Sequence, residues 1–139
     1  MCGLNFYLNK TDYKQKKYIT SHFKYTLYCV RGNHEARPDD LEMTIHWDHD
    51  IGNFVRIEKD FPTIKYLYDG GIYNFNGHKT LVIGGAYSVD KWYRLNSKGI
   101  LDDSDPDYYN PRKTGWFHNE CLTPFEMKEI EEGKRDFRF

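Results

Sequence analysis

The run Thr26-Leu27-Tyr28-Cys29-Val30-Arg31-Gly32-Asn33-His34-Glu35 decides how this chain is read. Apolar, β-branched and aromatic residues lead in, the stretch breaks at Arg31-Gly32, and an amide, an imidazole and a carboxylate follow in consecutive positions. Such residues suit a pleated, half-buried surface, so the pattern predicts a strand over residues 26–30. Its carboxyl end then carries polar groups, which is where α/β sheets keep their chemistry. Asn33 offers a hard carbonyl oxygen to a divalent cation, His34 a donor or a proton near neutral pH, and Gly32 the backbone freedom to present both. Without that context His34 would read as a solvated loop histidine and Asn33 as a turn residue.

Upstream, Asp12 followed by Gln15 predicts a capping box, and Tyr18, Ile19, His22 and Phe23 recur at helical spacing. A helix over residues 13–23 therefore feeds the strand. Downstream, residues 35–50 read as irregular, with Pro38, the pair Asp39-Asp40 and the segment His46-Trp47-Asp48-His49-Asp50. That segment is rich in potential metal ligands, but without a helix to align them their directions scatter. A polar loop is expected there.

Residues 64–68 and 72–75 are short β-rich runs separated by Asp69-Gly70-Gly71, and Asn76-Gly77 joins the second to residues 79–83. Asn-Gly supplies the two positive-φ positions of a type I′ turn, so a hairpin is predicted within a β-meander over residues 64–83. Leu81-Val82-Ile83, continuously apolar, predicts a strand buried on both faces that ends at Gly84-Gly85. Ser88 could cap a short helix running through Arg94, with Asp90 and Arg94 as an i,i+4 ion pair. Residues 102–112 read as an acidic loop, and His78 and His118 as solvated. Thr123-Pro124-Phe125-Glu126 combines an N-cap, a first-turn Pro and a capping-box Glu, predicting a helix that stops near Gly133.

Composition bounds the rest. The 139 residues fit one domain or a large piece of one, and twelve Tyr and nine Phe supply much of the apolar area available for a core. Mean hydropathy is −0.83, so the surface is strongly polar. Twenty basic against 21 acidic residues remove the usual electrostatic case for nucleic-acid binding, which also disfavours a stacking binder built on exposed rings. Cys2, Cys29 and Cys121 form no disulfide or zinc pattern and point to a reducing compartment. The absence of a run of ~20 apolar residues predicts no membrane span, and the first nine residues are too short and polar for a signal peptide. A soluble, cytoplasmic protein is expected.

Gly32-Asn33-His34-Glu35 resembles the Gly-Asn-His-Glu signature of calcineurin-like metallophosphoesterases. Gly84-Gly85-Ala86-Tyr87-Ser88-Val89-Asp90-Lys91, with Arg94, resembles a second segment of that superfamily. The resemblance extends from about Gly3 to about Glu132. It implies a layered α/β sandwich of two mixed sheets flanked by helices, and hydrolysis of a phosphoester of unknown class using two divalent ions, Mn, Fe or Zn. It implies that Asn33 is a metal ligand and that His34 is the catalytic residue, contacting the scissile phosphate and protonating the leaving oxygen. Gly32, Glu35, Asp90 and Arg94 become structural residues around the site.

The family's Asp-x-His and Gly-Asp motifs, and its later histidine motif, have no counterpart in this sequence. The expectation is that residues 1–139 form a partial domain, inactive alone. Two cations ~3.5–4 Å apart need several anionic or imidazole ligands, and Asn33 is neutral. Strand edges left open in such a fragment imply self-association. The rival reading is a non-catalytic remnant serving as a binding or interaction module.

Overall fold

The computed structural model describes residues 10–135. Helix α1 spans Lys10–His22. It therefore starts ahead of the expected boundary, and Asp12 lies in its first turn instead of capping it, where a carboxylate still complements the helix dipole. Ile19 packs on buried Phe61, Ile64 and Tyr66, and Tyr13 meets the edge of Phe61 at a centroid distance of 5.2 Å. Lys16 Nζ reaches Glu58 at 2.7 Å, fixing the helix across the sheet.

Strands β1 (Leu27–Cys29), β2 (Thr44–Asp48), β3 (Asn53–Glu58) and β4 (Phe61–Tyr66) form one sheet in the order β1-β4-β3-β2. β1 runs parallel to β4, with Leu27 opposite Ile64 and Cys29 opposite Tyr66, while the other pairings are antiparallel. β5 (Ile72–Phe75) and β6 (His78–Leu81) form a separate antiparallel hairpin. The chain is thus mixed α/β, and among the described residues the larger sheet is mixed while the hairpin is antiparallel. The meander is displaced: it consists of β2, β3 and β4, and the chain changes sheets between β4 and β5.

β2 corrects the loop expected through residue 48. Its ladder to β3 runs from Thr44↔Ile57 to Asp48↔Asn53, so pairing with a distant strand overrides a polar composition. Only Asp48 of this strand is buried, where its carboxylate accepts from Tyr28 Oη at 2.9 Å and Lys65 Nζ at 2.8 Å. Burial pushes the Asp48 carboxyl up, but those two bonds and the Asp50 backbone N–H outweigh it and hold it below the ordinary range.

The hairpin forms where the turn chemistry places it. Asn76 has φ 52° and Gly77 φ 86°, as a type I′ turn requires, and the Gly77 N–H donates to Asn74 Oδ1 at 2.7 Å. The strand ends at Leu81, however. Val82 is 4% exposed while Leu81 and Ile83 are 50% and 55% exposed, so this run alternates and is not buried on both faces. Val82 joins Ile51, Val55, Leu67 and Tyr73 in the core between hairpin and sheet. Tyr73 Oη donates to Phe54 O at 2.7 Å and accepts from the Tyr68 N–H at 2.9 Å, tying the two sheets together.

Three helices follow: α2 (Lys91–Asn96), α3 (Pro111–Thr114) and α4 (Pro124–Glu131). The acidic loop is partly ordered as a 3-10 turn over Pro106–Tyr109, capped by Asp105. The capping box of α4 forms as expected, with Glu126 N–H on Thr123 Oγ1 at 3.1 Å and Thr123 N–H on Glu126 Oε1 at 3.0 Å. Arg37 docks this helix, giving Nη1 to Glu126 Oε2 at 2.8 Å, Nε to Asn119 O at 2.8 Å and Nη2 to Cys121 O at 2.6 Å. Among the described residues no helix is long and apolar enough to cross a membrane.

The docking has a pH signature. Burial pushes the Glu126 carboxyl up, but hydrogen bonds from Arg37 and Thr123 and the charges of Arg37 and Arg135 bring it from 4.5 down to about 2. A carboxyl lowered by folding stabilises the fold above its unfolded value and ceases to do so as it protonates. Stability is therefore expected to fall as pH drops from 4.5 to about 2. Urea unfolding midpoints over that range, in wild type and Glu126→Gln, check this; an equally steep loss in the variant would refute the assignment.

Candidate functional site

The two sequence segments that carry polar chemistry, residues 31–35 and 84–90, meet at the carboxyl end of β1. Arg31 is the tie. It is 4% exposed, pairs through Nε with Asp69 Oδ2 at 2.6 Å, and donates from Nη1 to Glu120 O at 2.9 Å. Its own carbonyl accepts the Gly85 N–H at 3.0 Å, and the second oxygen of Asp69 accepts the Gly84 N–H at 2.7 Å. Arg31 Nη2 is buried without a hydrogen-bond partner among the described residues.

This contact explains the paired glycines. A Cβ on Gly84 would lie 2.6 Å from the Arg31 carbonyl oxygen, and one on Gly85, whose φ is +81°, would lie 2.2 Å from the Glu120 carbonyl oxygen. Only a backbone without side chains passes here.

The Gly32 N–H donates to the Glu35 carboxylate, closing a short loop with Asn33 and His34 between its ends. Both are half-buried. Asn33 Nδ2 donates to Ser88 Oγ at 3.2 Å. Ser88 in turn gives its backbone N–H to Glu120 Oε1 at 2.9 Å and its hydroxyl to Glu120 Oε2. Ser88 is therefore not the helix cap the sequence suggested: Asp90 stands at the N-cap of α2, and the Ser88 side chain turns inward.

Asp90 and Arg94 form the expected i,i+4 pair at 2.7 Å, and Arg94 Nη1 also donates to Gly115 O at 3.1 Å. The Arg94 hydrogen bond holds the Asp90 carboxyl below its ordinary range. Gly32, Asn33, His34 and Glu35 lie on the β1 side of this junction, and Asp90 and Arg94 at the cap and in the body of α2. Arg31, Asp69 and Glu120 do not carry a mark in the sequence. Asp69 reads as a turn residue and Glu120 as a solitary loop carboxylate, and only the fold makes them its framework.

The remaining candidate ligands are engaged elsewhere. His46 Nε2 bonds Thr44 Oγ1 at 2.8 Å and His49 Nδ1 accepts from Trp47 Nε1 at 3.2 Å. Burial, followed by the Glu35 charge, pushes the Cys29 thiol up to about 12, so it does not offer a thiolate near neutral pH. Among the described residues no group of three or more His, Cys, Asp or Glu is placed to hold a metal ion. With the Glu35, Asp69 and Glu120 carboxylates engaged by protein donors and Asp90 by Arg94, the Asn33 amide oxygen and the His34 imidazole do not by themselves fit a centre of two divalent ions.

Comparison of the chain with protein-family models, with curated proteins and with solved structures gives no match.

Proposed function

We propose that the chain carries the acid side of a phosphoesterase site that works with divalent metal ions. The observation that carries this reading is the convergence of residues 31–35 and 84–90 at the end of β1, joined by the Gly85–Arg31 and Asn33–Ser88 hydrogen bonds. In the proposed reaction a water oxygen bonds to phosphorus while the ester oxygen leaves, and His34 gives that leaving oxygen its proton, the role of a positioned general acid. Asn33 is a neutral carbonyl ligand, and Arg94 holds Asp90 at the rim. The reading also takes the two sheets as the layers of an α/β sandwich. The free thiols Cys29 and Cys121 accord with a reducing, cytoplasmic setting.

The test uses the purified chain. Mn²⁺ titrated into ¹⁵N-labelled protein is expected to broaden amides of residues 32–34 and 88–90, while calorimetry finds weak binding and no pair of tight sites. Efficient turnover is not expected of residues 1–139 alone, and residual Mn²⁺-dependent hydrolysis of phenyl phosphate, whose poorer leaving group needs a proton, should be lost in His34→Ala. Mn²⁺-dependent hydrolysis indifferent to His34→Ala, or broadening confined to residues 102–107, would overturn the proposal. Phosphoester binding that is independent of Mn²⁺ and unaltered by His34→Ala would favour the rival, a scaffold retained as a binding module.

A further inference from the structure

We infer that Glu120 is a positioning residue for this junction: acting through Ser88, it fixes which end of the Asn33 side-chain amide faces away from the protein framework. The significance of that orientation for ligand binding rests on the phosphoesterase reading, but the orientation itself does not.

The two ends of an asparagine amide are nearly equal in size, one donating and one accepting, so hydrogen-bond polarity and not shape decides between them. Glu120 is 3% exposed, and residue 88 occupies both of its oxygens, the backbone N–H on Oε1 at 2.9 Å and the hydroxyl on Oε2. A carboxylate only accepts, so the Ser88 hydroxyl hydrogen is committed to it. Ser88 Oγ then has only lone pairs to offer its other neighbour. Of the two ends of Asn33, only Nδ2 can use them, and it lies 3.2 Å away. Oδ1 is left to meet an electrophile, whether a divalent cation or a donor on a substrate. The framework keeps Glu120 in place, since Arg31 Nη1 holds its carbonyl at 2.9 Å and its N–H donates to Phe117 O at 3.1 Å.

Glu120→Gln reverses the polarity while keeping the shape. The N–H of residue 88 still requires an acceptor and takes the amide oxygen, so the introduced NH₂ faces Ser88 Oγ and donates to it. The Ser88 hydroxyl hydrogen, buried and without its former acceptor, turns to Asn33. Asn33 must then flip to offer Oδ1, which sends its NH₂ outward.

Nuclear magnetic resonance of the labelled full chain reads this directly. In wild type the Asn33 NH₂ protons should show a through-space contact to the Ser88 Hβ protons. In Glu120→Gln that contact should vanish and NH₂ exchange with water should quicken roughly tenfold, about what losing one net hydrogen bond allows. Ser88→Ala should reproduce the loss if Glu120→Gln does not fold, and Ser88→Thr, which keeps the hydroxyl, should retain the wild-type signature. Mn²⁺ broadening at residue 33 should fall with the flip. An unchanged Asn33 NH₂ signature in folded Glu120→Gln and Ser88→Ala would overturn the inference. If the signature moves as expected while Mn²⁺ broadens nothing near residue 33 in any variant, the orientation stands and the phosphoesterase reading fails.

Discussion

Gly85→Ala is expected to cost about 3 kcal/mol or more of folding stability, combining positive-φ strain with overpacking. The obstruction is severe because the atom 2.2 Å from the new Cβ is the backbone oxygen of Glu120, which cannot rotate away as a side chain would. The Arg31 Nη1 and Cζ atoms, at 2.7 and 2.9 Å, close the other side. Relief requires separating residues 84–85 from residue 31 or pushing out the segment that carries Glu120, and either movement opens the junction. Gly77→Ala gives the comparison: φ is +86° there, but nothing lies within 4 Å of a new Cβ, so strain of about 1–2 kcal/mol should be the whole cost. Urea denaturation of both variants checks the ranking. Equal stabilities would mean that the close approach is not a constraint on the fold.

Arg31→Met should be comparably damaging, at about 3–5 kcal/mol, the range for removing one partner of a buried ion pair. The side chains of Arg31 and Asp69 are 3% and 12% exposed, so the Asp69 carboxyl would be left buried without its cationic partner, still accepting from the Gly84 N–H. The Glu120 carbonyl would lose a donor as well. Arg31→Lys should recover part of the loss, since one ammonium supplies the charge but cannot reproduce a fork that serves two acceptors. Because Gly85 and Arg31 touch, the double variant should lose less than the sum of the singles. Strict additivity in denaturation experiments would argue that the two act through separate structures.

The features legible in the sequence are those whose cause is local. Asn76-Gly77 specifies its turn through φ alone, and Thr123-Pro124-Phe125-Glu126 satisfies its own helix end within four residues. β1 could be read because its apolar run stops at a glycine. β2 could not, because Ile45 and Trp47 remain exposed at the sheet edge and the strand exists through its pairing with β3. Leu81 and Ile83 were misread for a related reason: three apolar residues in a row suggest burial on both sides, whereas only the face carrying Val82 is covered. At the junction, the loop carrying Asn33 and His34 was legible as a polar turn at the end of a strand. Asp69 and Glu120 were not, since their importance comes from burial against Arg31 and Ser88, and a carboxylate in a loop gives no sign that it will be buried.

β1 contributes only three residues to the sheet and, among the described residues, pairs on one side, with β4. Detaching the strand that leads to Asn33 and His34 would cost the Arg31–Asp69 pair and the Gly85 contact but leave the β3–β4 ladder whole. Its amides, and that of Gly85, should exchange through excursions that leave the β3–β4 ladder closed, whereas Val55 and Ile64 should exchange only when the whole fold opens. The junction is then a clasp on a stable body, able to release and reclose on its own timescale. Anything that bridges residues 33 and 88 would act first as a brake on that release, and the slowing of exchange at Gly85 would register its arrival before any change in the core.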